Sequence, residues 1–226
     1  MIEITIQIEE LISNNATDFE ISKVFKTYYK NYLDSIDTTV ETTGGKDFFI
    51  KHTKHTDKFL ILLYKYILRK NFASHQPMSS SIPISLVALG SYGREQLCIY
   101  SDIDIMLLYE NVKGYNLKNI MEEFITLAWD CGLKLGSRVH ELREISDAVK
   151  EDITIKSSIL ESRLIYGSKN LWFGYQNVLS KIRKTNQKEF VLDKLEEHKQ
   201  RLLKYPLKME PNIKEGYGGI RESNMM

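Results

Sequence analysis

Leu89-Gly90-Ser91-Tyr92-Gly93-Arg94 and, after a short spacer, Tyr100-Ser101-Asp102-Ile103-Asp104-Ile105 form the stretch that decides how this chain folds. Ile84 to Leu89 is an apolar run that stops at a glycine, and Ser101 to Tyr109 is another, so the pattern predicts two strands joined through a glycine-bearing turn. Alternate side chains of a strand share a face, which projects Asp102 and Asp104 together while Ile103 and Ile105 pack behind them. Two carboxylates on one face suit a hard divalent cation such as Mg2+, with Mn2+ as a substitute. Two such ions about 4 Å apart are the usual clamp for in-line displacement at phosphorus. An isolated Asp-x-Asp is also what solvated acids at a strand entrance look like, so the neighbouring residues decide.

The turn supplies complementary chemistry. Glycine permits close backbone approach, the Ser91 amide and hydroxyl can donate to phosphate oxygens, and Arg94 brings a guanidinium that pairs with phosphate bidentately. Gly90, Ser91, Gly93 and Arg94 are thus the candidate nucleotide- and phosphate-binding residues, against the alternative of a plain turn beside a surface arginine. No Walker sequence and no Gly-x-Gly-x-x-Gly opening a helix is present, which argues against P-loop and Rossmann sites.

Working outward, Leu117, Ile120, Met121, Phe124, Leu127, Ala128 and Cys131 mark one face of a helix, and Leu133 to Leu142 returns as a third strand. From Glu144 onward the apolar spacing is almost entirely helical, with Ile155, Ile159, Leu160 and Leu164 in period. Upstream, Asn14 to Ile36 and Lys54 to Asn71 are helical in period, separated by a Gly44-Gly45 turn, and the Ser- and Pro-rich 73–83 is the boundary loop. The expected organisation is an α+β chain with a small mixed sheet. It has an N-terminal helical segment (1–72), a core (73–143) and a C-terminal helical domain (144–226).

With 226 residues, 42% of them hydrophobic and 27% charged, the chain can bury a full core. A net charge of +1 excludes a generally basic surface, so no DNA or RNA partner is expected, yet a local cationic pocket remains compatible. Cys98 and Cys131 lie in no zinc-ligand spacing, the acidic N-terminus lacks the flanks of an export signal, and the apolar run Phe59–Leu68 is too short to span a bilayer. A cytoplasmic protein without membrane attachment is the expectation. His52 and His55, three apart among lysines and threonines, are read as surface histidines.

Leu89-Gly90-Ser91 followed by Asp102-Ile103-Asp104-Ile105 resembles the signature of the polymerase-β-type nucleotidyltransferase superfamily. The fuller pattern, Gly90-Ser91-Tyr92-Gly93-Arg94 with Tyr100-Ser101-Asp102-Ile103-Asp104, is similar to the N-terminal region of the bifunctional PII uridylyltransferase/uridylyl-removing enzymes. So are Trp129 to Gly136, Glu151 to Gly167 and Glu210 to Arg221, in family order. Ser91 stands where that family often has a second glycine, and Glu95-Gln96 replaces a frequent Gly-Glu.

The resemblance implies transfer of UMP from UTP to a tyrosine of a PII-type nitrogen-regulatory protein, with Asp102 and Asp104 as metal-binding carboxylates. It implies a third acid on a neighbouring strand, for which Glu141 is the candidate; a register error of one residue would exchange it with His140. No histidine precedes an aspartate, so the His-Asp doublet of the removing activity is missing, and the chain is expected to be a fragment of a longer polypeptide. Lys214 and Arg221 bracket a glycine loop that either reaches nucleotide or acceptor, or packs the helical half onto the sheet. The alternatives are a nucleotidyltransferase of the same superfamily with another base or acceptor, such as a protein adenylyltransferase, and a non-catalytic nucleotide-sensing module.

Overall fold

A computed structural model describes residues 2–43, 45–72, 78, 81–205 and 212–220, with the backbone only for 37–43. The fold is α+β, as expected. Helices α1 (Ile2–Ser13), α2 (Asp18–Thr43) and α3 (Lys46–Phe72) precede strand β1 (Ile84–Ala88), a one-turn helix α4 (Gly90–Gly93) and strand β2 (Ile103–Tyr109). Helix α5 (Leu117–Asp130) leads to β3 (Leu135–Glu141), a single 3-10 turn, α6 (Ile145–Glu151) and α7 (Ile153–Leu160). Strand β4 (Arg163–Gly167) and helices α8 (Lys169–Lys184) and α9 (Gln187–Lys204) complete it.

Local sequence explains the helix ends. Thr17 and Glu20 satisfy each other's backbone amides at the start of α2, with Thr17 N–H donating to Glu20 at 2.8 Å and Glu20 N–H to Thr17 Oγ1 at 3.3 Å. Asn116 and Ser168 cap α5 and α8 by accepting from the third residue onward.

The sheet order is β3-β2-β1-β4, with β1 antiparallel to β2 and β4, and β2 parallel to β3. A parallel pair needs a crossover, and α5 is that crossover. One face of the sheet carries Ile84, Leu86, Ala88, Ile103, Ile105 and Leu107 into a large core shared with α1, α2, α3 and α5. The other carries Val87, Leu89, Met106 and Leu108 into a smaller core with Ile145, Ile159, Leu171, Tyr175 and Leu179.

Two expectations are corrected. Residues 163–167 are not helical but form an edge strand on β1, because α7 stops at Leu160 and the free edge of β1 takes up the next segment. His52 is buried and His55 partly so, since α3 begins at Lys46 and α2 packs along it. Tyr32 stacks on both rings and its hydroxyl lies 2.9 Å from His52 Nδ1. Residues 2–13, inside the expected N-terminal helical segment, form α1. Gly44, most of the expected 73–83 boundary loop, 206–211 and Arg221 lie outside the described residues.

Candidate active site

The candidate site forms where β1 ends and β2 and β3 begin. Leu89 N–H donates to the Asp104 carbonyl at 3.0 Å, which ties the last residue before the turn to the carboxylate-bearing strand. The chain then turns at Gly90 with φ +54°, a left-handed conformation that favours glycine. A β-carbon on Gly90 would stand 4.0 Å from Asp104 Oδ2. From the other side, register pairs Asp104 with Gly136 of β3, where a β-carbon would come within 2.5 Å of Asp104 Oδ1. The carboxylate thus lies between two bare backbones, and Gly136 is a site residue that the motif reading missed, although it closes one of the resembling segments.

Asp102 and Asp104 are both exposed and close enough to repel each other. Desolvation at the strand floor and the Asp102 charge raise the Asp104 pKa, while Arg138 and Lys214 pull it back. The Asp102–Asp104 pair therefore joins the glycine turn, and Lys214 approaches from the loop 212–220. That loop is shaped by the Asn212 side chain, which accepts from the amides of Lys214 at 3.1 Å and Glu215 at 2.9 Å.

Glu141 is not brought to the pair. It pairs with Tyr109 at the opposite end of β2, on the other face of the sheet from Asp104, and is buried in an ion pair with Arg143 at 2.8 Å. The parity is set by the start of the parallel ladder, Ile103 opposite Leu135, which puts Gly136, Arg138 and His140 on the Asp104 face instead. Among the described residues no group of three or more His, Cys, Asp or Glu side chains is placed to hold a metal.

The rest of the turn is braced from below. Arg94 is held by Glu161 at the end of α7, with its Nε donating to Gln96 at 3.1 Å. Gly93 packs against the Glu161 carbonyl so closely that no side chain fits, and its amide is already donated to Leu89 O at 3.0 Å. Tyr92 is fully buried and its hydroxyl donates to Asp57 of α3 at 2.7 Å. Arg163 of β4 donates to the same carboxylate at 2.8 and 3.0 Å. Burial and the Asp57 charge hold the Tyr92 phenol well above its usual range. Ser91 keeps its hydroxyl without a partner among the described residues. Glu95 takes φ +60°, a left-handed position for a residue with a β-carbon, at the point where the resembled family often has glycine.

A family model described as GlnD PII-uridylyltransferase matches residues 189–226. The bifunctional uridylyltransferase/uridylyl-removing enzyme of Nitrosococcus oceani is 37% identical over 146 residues, covering 63% of this chain and 16% of that enzyme. The enzymes of the same name from Methylococcus capsulatus and Azotobacter vinelandii are 35% and 36% identical, over 63% and 64% of this chain. The chain is related to the PII uridylyltransferases. It spans about a sixth of the length of these curated relatives. The relationship supports a nucleotidyltransferase core, which is the chemistry that the Gly90 turn and the Asp102–Asp104 pair suggest on their own. No described helix is long and apolar enough to cross a membrane.

Proposed function

We propose that this chain carries the nucleotidyl-transfer site of a cytoplasmic PII uridylyltransferase, moving UMP from UTP to a tyrosine hydroxyl of a PII-type regulatory protein. In that reaction the tyrosine oxygen bonds to the α-phosphorus as the bond to the β-phosphate breaks, releasing pyrophosphate and the phenolic proton. The observation that carries the reading is the Asp104 carboxylate held between Gly90 and Gly136 with the Asp102 charge beside it.

The donor set fits a hard cation. Two exposed carboxylates concentrate negative charge, and Mg2+ takes one or two carboxylates and fills its remaining positions with water and substrate phosphates. Asp102 and Asp104 would hold Mg2+ or Mn2+, which when bound neutralises phosphate charge and activates the attacking oxygen. The chain's own residues bind and orient. Gly90 lets the phosphates approach the backbone, the Ser91 hydroxyl donates to a phosphate oxygen, and the Asp57–Tyr92–Arg163 link keeps the turn against β2.

Incubation with UTP labelled at the α-phosphate, magnesium and a PII-type protein should label the partner covalently, and Asp102→Asn or Asp104→Asn should remove the label. Transfer from ATP instead of UTP would overturn the uridylyl assignment and leave the transferase one. A second reading, nucleotide sensing without turnover, is favoured by one observation: no third carboxylate joins the pair among the described residues. Tight UTP binding with no label transferred, partner supplied, would decide for it.

A further inference from the structure

The Asp104 face of β3 carries a cation that the motif does not include. Register places Arg138 opposite Met106, one pleat repeat beyond Gly136 and therefore on the same face as Asp104. Three other arginines around the sheet are committed to carboxylates: Arg94 to Glu161, Arg143 to Glu141 and Arg163 to Asp57. Arg138 is half-buried, and its side chain makes no hydrogen bond or ion pair among the described residues. Its charge is nonetheless felt at Asp104, at Asp152 where α7 begins, and at His140 on the same strand. Its register position puts it on the Asp104 face, and it forms an ion pair with neither Asp104 nor Asp152 among the described residues.

A nucleoside triphosphate meeting this face has its charge countered at one end by cation on Asp102 and Asp104, and needs a second positive partner further along. Guanidinium is suited to that task because its planar fork grips phosphate oxygens bidentately. Arg94, on the turn, already donates to Glu161 and Gln96.

Resting on the nucleotidyl-transfer reading above, we propose that Arg138 rather than Arg94 grips the outer phosphates of the nucleoside triphosphate. Arg138 is a binding residue on the wall of the site formed by β3, and Arg94 is a brace that fixes the turn to α7. The binding energy it contributes belongs to the triphosphate and not to the nucleoside.

The test measures calorimetric binding of magnesium tripolyphosphate, of UTP and of uridine to the wild-type chain and to Arg138→Ala, Arg138→Lys and Arg94→Ala. Charge-assisted hydrogen bonds contribute about 1.5–3 kcal/mol, so Arg138→Ala should weaken tripolyphosphate and UTP about 10- to 150-fold. Uridine binding should not change, and Arg138→Lys should restore part of the loss. Arg94→Ala should lower the melting temperature, with a smaller effect on tripolyphosphate than Arg138→Ala has. In turnover, Arg138→Ala should raise KM for the triphosphate more than it lowers kcat. Unchanged tripolyphosphate affinity in a folded Arg138→Ala, or a larger loss in Arg94→Ala, overturns the proposal. Because tripolyphosphate has no base, its binding tests Arg138 even where UTP proves the wrong nucleotide. A wild-type chain that binds neither tripolyphosphate nor UTP overturns the transfer reading itself, and the arginine with it.

Discussion

The two faces of the sheet are built from the same strands and treat water in opposite ways. On one, Ile84, Leu86, Ala88, Ile103, Ile105 and Leu107 meet Phe25, Phe59, Leu60, Leu63 and Phe124 from helices on the N-terminal side and from α5, and all are buried. On the other, Val87, Leu89, Met106 and Leu108 are covered by α6, α7 and α8, but the cover stops short of the strand entrances, where Asp104 opens to solvent and Arg138 is only half-buried. A β2 residue one position from Asp104 in either direction is buried to within a few per cent. Alternation at the entrance of a single strand thus does both jobs, anchoring with Ile103 and Ile105 and presenting chemistry with Asp104 between them. The covered face is what allows the open one to hold two like charges close together, since the apolar grip on Ile103 and Ile105 fixes the backbone against their repulsion.

The sharpest way to break the contrast is Gly136→Ala. Nothing in the backbone opposes it, because Gly136 has no left-handed φ, and the only atom in the way is the end of the Asp104 side chain. The carboxylate must move, so transfer activity should fall about 10- to 100-fold, in the range seen when groups orienting a metal ligand are disturbed. Stability should change by less than about 1 kcal/mol, read by denaturant unfolding. Equal losses in stability and activity would mean that Gly136 serves the sheet and not the carboxylate.

How much of this was legible differs between the faces for a physical reason. The covered face shows itself as apolar runs and helical periods, so β1, β2, α5 and the N-terminal helices were readable, and Asp104 falls on the open face by alternation while Asp102 lies one residue before β2 begins. What the sequence did not carry locally was pairing. Arg163 to Gly167 lies in spacing that continues α7, and only the free edge of β1 makes it a strand. The face that Glu141 takes depends on parity along β3, which is decided by where the ladder with β2 starts. Asp57 sits 35 residues before Tyr92, on a helix whose period gives no sign that one polar residue braces the glycine turn. The two histidines look exposed in the sequence because flanking lysines and threonines describe their own helix and not the α2 aromatic residues packed on it.

Those histidines give a second, smaller contrast, this time in pH. Burial lowers the pKa of both His52 and His55 to about 4, against about 6.5 in an unfolded chain. Between those values the unfolded chain binds protons that the folded chain does not, so stability is fully present above about pH 6.5 and is lost as pH falls toward 4. Allowing for partial solvent access, His52 should account for about 1–2 kcal/mol of that loss. Unfolding midpoints measured from pH 7 to pH 4.5 should drop for the wild-type chain and drop less for His52→Gln. A parallel decline in both would place the acid sensitivity elsewhere.

Glu141→Gln carries the smallest expected effect. Glu141 stands on the covered face at the end of β3 away from Asp104, and its partner is Arg143, which is itself largely exposed. The substitution keeps the shape, keeps an acceptor for Arg143 and removes one charge of a pair that opens to solvent, so stability should fall by no more than about 1 kcal/mol. Transfer activity, compared at a temperature well below either melting point, should stay within about twofold of wild type, because no charge is removed from the Asp104 face. Asp104→Asn measured alongside supplies the scale. A loss with Glu141→Gln approaching that of Asp104→Asn would mean that β3 shifts its register when substrate binds. Such a shift would carry Glu141 to the face that Arg138 and His140 occupy here, because one step along a strand exchanges the two faces.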